Sequence, residues 1–139
     1  MRISAQCDYA CRALLELALQ WPNKDLMQIQ AISKRQDIPI KYLVHILIQL
    51  KKIGLVTSAR GKEGGYSLAK EPKDIALGKV IRQVSGPLLS LPESTKDKTV
   101  FAAIWKDLER TMAKLLDKIT FEDILNKAKG TDGTINYHI

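Results

Sequence analysis

The 139-residue sequence is short of the residue types that much enzyme chemistry and most secreted folds depend on: two cysteines, two histidines and 6% aromatics. With only His45 and His138, no histidine, carboxylate and nucleophile set is apparent. Its clustered glycines, Gly61, Gly64 and Gly65, sit in a hairpin pattern and not ahead of a helix, so they do not make a phosphate-cradling loop. The chain is therefore not expected to be an enzyme. Cys7 and Cys11 lie four apart in a helical pattern, too close for an ordinary structural disulfide, and there is no third cysteine to pair with either. No apolar run approaches the roughly 20 residues that span a bilayer, and the first residues lack the apolar core of a signal peptide. A cytoplasmic protein with no membrane partner is expected. The scarcity of aromatics, with 8 Gly and 5 Pro, favours helices over a β-sandwich.

What the chain does have is positive charge, unevenly placed. Residues 1–90 carry 14 Lys and Arg against 7 Asp and Glu, whereas residues 91–139 carry 8 of each, so the whole net charge of +7 belongs to the first part. A surplus confined in this way suggests a surface for an anionic partner, with a merely solvated basic face as the alternative.

Within that part, residues 54–70 read as two short strands around the turn Arg60-Gly61-Lys62-Glu63-Gly64-Gly65, a hairpin with a basic, glycine-loosened tip. It follows directly on the helical run ending Leu50-Lys51-Lys52-Ile53, as the wing does in a winged helix-turn-helix. The preceding pattern agrees. Ser4 is an N-cap for a first helix that ends at Trp21-Pro22-Asn23. A shorter helix spans 27–36 around Ile29 and Ile32, and Ile38-Pro39-Ile40-Lys41 forms the turn. Tyr42, Leu43, Ile46, Leu47, Leu50 and Ile53 give the next helix its apolar stripe before Gly54 ends it. In a helix-turn-helix the start of the second helix meets the base edges. The expected DNA-binding residues are accordingly Lys41, Tyr42, Val44, His45 and Gln49, with Arg60 and Lys62 on the wing.

Ile75, Leu77, Val80, Ile81 and Val84 mark a fourth helix, and residues 87–99 have no period. From Val100 a long stripe runs through Phe101, Ile104, Trp105, Leu108, Met112, Leu115, Leu116 and Ile119. A helix of about 20 residues is about 30 Å long, more than a small domain can cover, so a partner subunit is expected in preference to folding back. Thr120-Phe121-Glu122-Asp123 caps a last short helix. The expected architecture is mostly α: a winged helix-turn-helix domain over 1–86 with a small β-hairpin wing, a linker over 87–99, a dimerisation helix and short C-terminal helix over 100–129, and a flexible tail over 130–139.

Taken together these segments resemble the Rrf-two family of bacterial winged-helix transcription regulators. The likeness rests on Asp8-Tyr9-Ala10-Cys11-Arg12-Ala13-Leu14, Ile40-Lys41-Tyr42-Leu43, the glycine-rich wing, Ile75-Ala76-Leu77-Gly78-Lys79-Val80-Ile81, Ile104-Trp105-Lys106-Asp107-Leu108 and Ile119-Thr120-Phe121-Glu122-Asp123, covering nearly the whole chain. The resemblance implies a homodimer on double-stranded DNA, bound to an imperfect palindrome, and with the wing, the charge partition and the long stripe the expected role is a repressor. The helix near Pro39 would lie in the major groove and Arg60 in the minor groove. The family's iron–sulfur cluster regulator has serine and glutamate where this chain has Lys41 and Val44, so its operator preference does not transfer. Sensor members hold their cluster with three cysteines in the loop before the long helix, and residues 87–104 here contain none. The expectation is the cluster-free branch, with no cofactor and with control by a regulatory protein or a small-molecule effector.

Some members use an acidic residue at the Asp8 position as a cluster ligand from the partner. Cys7, Asp8 and Cys11 therefore frame an alternative in which a soft metal or oxidation is sensed. The simpler reading makes Cys11, where the family usually has leucine, a small core residue and Cys7 a tolerated neighbour. The rival to DNA binding is a winged fold used only as a protein-interaction module.

Overall fold

The computed structural model describes residues 2–23, 25–92 and 99–130. Helix α1 (Ala5–Leu19) starts where expected, with the Ser4 hydroxyl accepting the Cys7 backbone N–H at 3.1 Å. It is the central strut: Ala10, Ala13, Leu14 and Leu17 are buried beneath α2 (Ile29–Gln36) and α3 (Ile40–Lys52). Between those two helices Asp37 adopts the left-handed conformation (φ 52°), which Asp tolerates better than most residues, and Pro39 occupies the N-cap of α3. α3 ends in a Schellman turn. The Gly54 N–H donates to Lys51 O and the Leu55 N–H to Leu50 O, with Gly54 at φ +83°, confirming its terminating role.

The wing is an antiparallel pair, β1 (Val56–Ala59) and β2 (Gly65–Leu68), in register from Val56 opposite Leu68 to Ala59 opposite Gly65. One pairing departs from expectation. Met27 does not open α2 but bridges to Tyr66, each donating its N–H to the other's carbonyl at 2.8 and 2.9 Å. This third backbone layer roots the wing in the helical body. It also accounts for Gly65, where a Cβ would lie 2.6 Å from the Met27 carbonyl oxygen.

A single 3₁₀ turn (Pro72–Asp74) and an extended Ile75-Ala76 precede α4 (Leu77–Ser85), so the fourth helix begins two residues later than its apolar pattern suggested. The long helix is α5 (Val100–Lys118), and α6 (Phe121–Ala128) follows with a full capping box between Thr120 and Asp123. Residues 93–98 of the expected linker and 131–139 of the expected tail lie outside the described residues.

The core crosses that linker. Phe121 and Leu125 of α6 sit in the same buried cluster as α1 and α3, the Leu77 N–H donates to Ile119 O, and the Phe121 N–H donates to Ile75 O. α6 is thus built into the unit that carries the helix-turn-helix, whereas the periodicity suggested that it belonged with α5 alone.

The stripe on α5 also divides. Met112 and Leu116 turn toward α4, packing on a small cluster of Cys7, Ile81 and Leu88, and Ile119 lies past the helix end. Met112 is therefore occupied within the chain, because the last turns of α5 cross α4 closely, while Ile119 is the residue that closes the helix. Gly78 permits that approach: a side chain there would strike the carboxylate of Asp117, which Arg82 holds at 2.8 Å. Phe101, Ile104, Leu108 and Leu115 remain exposed, and Trp105 stacks on Phe101 with ring centroids 5.9 Å apart.

Candidate nucleic-acid interface

From Ile38 to Lys62 the sequence holds five Lys or Arg residues and no Asp or Glu. The fold brings this acid-free segment to one face. α3 buries Leu43, Ile46, Leu47 and Leu50 and turns Lys41, Val44, His45 and Ile48 outward. Lys41 is held over the Tyr42 ring, its Nζ 4.9 Å from the centroid. Tyr42 itself stacks on Tyr9 of α1 at 6.2 Å, and the Arg12 guanidinium lies 5.3 Å from the Tyr9 ring centroid. Alternating cations and rings in this way immobilise the start of the reading helix from outside its own turn.

Arg60 and Lys62 are exposed at the wing tip, and among the described residues no carboxylate pairs with either. Between the wing, α3 and the start of α2 lies an open groove of about 550 Å³. Lining it are Arg60, Lys51, Ile48, Gln28 and Gln30. Two contacts hold its walls at a fixed angle: Lys51 Nζ donates to the Ser58 hydroxyl at 2.6 Å, and the Gln28 side-chain amide donates to Lys62 O at 3.4 Å.

The expected site residues do not all fall on this groove. Arg60 is in its wall; Lys41, Val44 and His45 point outward from α3 without lining it, His45 facing a second hollow, and Lys62 lines a separate hollow with Gln28 and Arg35. Gln49 accepts a hydrogen bond from the Gln6 side chain at 3.0 Å and is half-buried between α3 and α1. Tyr42 faces that second hollow with Tyr9 and Gln6. Ile48, 57% exposed in the middle of the reading helix, was missed because an isoleucine at that spacing reads as core. Gln28 and Gln30 carry no sequence signal for their position.

The angle between α1 and α2 is fixed by a buried polar network. Gln36 donates its side-chain N–H to Glu16 at 2.7 Å, and the Arg12 guanidinium donates to both the side chain and the backbone oxygen of Gln36. Arg35 lies 3.8 Å from the second Glu16 oxygen, which keeps a nearly buried carboxylate balanced.

At the other end of α1, Cys7 and Cys11 stand one helical turn apart, each the largest influence on the other's thiol. The Cys11 thiol as donor, then the Ser85 hydroxyl, pull the Cys7 pKa down to about 6 against the opposing effect of burial. Cys11 is driven upward by its pairing with Cys7 and by burial. Among the described residues no group of three or more His, Cys, Asp or Glu side chains is arranged to hold a metal, at Cys7 and Cys11 or elsewhere.

Residues 3–127 match the family model Rrf2, described as an iron-dependent transcriptional regulator. An HTH-type transcriptional regulator of Synechocystis is 34% identical, with 93% of this chain and 90% of that protein covered. IscR of Klebsiella pneumoniae, another HTH-type regulator, is 33% identical over 99% of this chain and 88% of its own. Among solved structures, T. potens IscR superposes with a TM-score of 0.80 at 31% identity, covering 99% and 95% of the two chains. The global cysteine regulator CymR of B. subtilis gives the same score at 27% identity, covering 91% and 98%.

Proposed function

This chain belongs to the Rrf2 family of transcriptional regulators, and on that basis we propose that it is a homodimeric repressor of a palindromic operator, working without an iron–sulfur cluster. The observation that carries the reading is the joining of an acid-free reading helix and a basic wing, together with a separate row of exposed apolar side chains on α5. α3 enters the major groove with Lys41, Val44, His45 and Ile48 toward the base edges. Arg60 reaches the neighbouring minor groove, where negative potential favours a guanidinium. Two copies joined through Phe101, Ile104 and Leu108 present this surface twice, and occupancy of the operator excludes other proteins from the same duplex.

Arg60→Ala and Lys41→Ala are each expected to weaken operator binding by about 1–3 kcal/mol. Each should also lower the slope of log affinity against log salt by about one. Fluorescence anisotropy on the operator and on a scrambled duplex measures both. Equal losses on the two duplexes would leave only nonspecific attraction and favour the interaction-module reading.

The cluster-free reading is supported by the donors. A cluster needs three or four thiolates arranged around it, and this chain's two cysteines lie side by side on α1, with none in residues 87–104. Anaerobically purified protein is expected to be colourless. Visible absorption bands accompanied by bound iron and sulfide would overturn this.

A further inference from the structure

Three of the chain's five sulfur atoms converge on one pocket. It lies between α1, α4 and α5, encloses about 390 Å³, and is lined by Cys7, Cys11 and Met112 together with aliphatic side chains such as Leu77, Ile81 and Leu116. The one carboxylate at its edge, Asp8, is engaged by Arg12 at 3.1 Å. What the pocket offers a ligand is therefore sulfur: two thiols already in mutual contact and a thioether from a different helix.

We infer that this pocket is a binding site for a soft monovalent metal ion of the copper(I) class, held by Cys7 and Cys11 with Met112 as third donor. Thiolate and thioether sulfur select copper(I) over harder ions, and such a d¹⁰ ion is content with two or three ligands. Zinc would want four nitrogen, oxygen or thiolate donors, which the apolar walls do not supply. Binding forms two metal–thiolate bonds and releases the thiol protons to solvent, leaving a complex with one negative charge. That charge lies across the first two turns of α1, toward the positive end of the helix dipole and near the Ser85 hydroxyl. The ion would join α1, which carries the reading unit, to α5, which carries the proposed pairing face. Any effect of the metal on operator affinity therefore rests on the regulator reading, but occupancy of the site does not.

The test is anaerobic titration of the full chain with copper(I) against a coloured copper(I) chelator. One ion per chain is expected to pass from the chelator to the protein. Cys7→Ser and Cys11→Ser should each abolish the transfer. Met112→Leu, which keeps the volume of the side chain, should weaken it by about tenfold or more without altering the thermal transition. Full retention of copper by the chelator, undiminished uptake by the cysteine variants, or preferential uptake of zinc would each overturn the inference. Anisotropy on the copper-free protein decides the regulator reading separately: a chain that binds its operator but no copper fails only here.

Discussion

Phe121→Ala is expected to lower the unfolding free energy by about 3–5 kcal/mol, the usual range for emptying a buried phenylalanine site. Phe121 is 1% exposed and belongs to the same buried cluster as α1 and α3, so its removal opens a void in the main core, not at the periphery. Set against a typical total of about 5–15 kcal/mol, that loss is a large fraction. Urea denaturation at one fixed protein concentration reads it, since subunit pairing would otherwise shift the midpoint. A cost below about 1 kcal/mol would mean that α6 merely rests on the winged unit. The backbone bonds from Leu77 to Ile119 and from Phe121 to Ile75 argue for integration. They also imply that a fragment cut at the linker loses a core residue together with its last helix.

The double variant Ile104→Glu, Leu108→Glu is expected to run as a single copy in sedimentation velocity and to bind the operator about 10²–10⁴-fold more weakly. Both side chains are more than 40% exposed in the isolated chain, so placing carboxylates there costs the monomer little. In a pair the same two groups would be buried against an apolar row, where unpaired charge is not tolerated. The loss in DNA affinity follows from valency: each half-site is held by one chain, and the second contact is strong only because the first has already brought it near. A variant that stays paired and binds normally would place the subunit contact elsewhere. An unchanged thermal transition in dilute solution separates lost pairing from lost folding.

Much of the winged architecture is carried by local chemistry and could be read residue by residue. Ser4, Gly54 and the Thr120-Asp123 pair act on the turns beside them, and the glycines of the wing tip announce a hairpin through the conformations they permit. Other features depend on neighbours distant in sequence. Met27 looks like the start of a helix, yet its backbone is claimed by Tyr66, 39 positions away. The α5 stripe reveals which side chains are apolar but not that two helices share them, so Met112 and Leu116 could not be told from Phe101 and Leu108. Tyr42 reads equally as core or contact until Tyr9 is seen stacked on it. On the candidate face, the exposure of charged residues was the legible part, since a lysine at a helix start has few reasons to be buried. Ile48 was not, because its chemistry is that of the interior.

The bond between Lys51 and Ser58, together with the tight glycine corner at the end of α3, makes the reading helix and the wing a single rigid tool. Neither can adjust to a duplex without carrying the other. In the proposed dimer, accommodation to different targets would then come from how the two copies are splayed apart, with α5 as the joint between them.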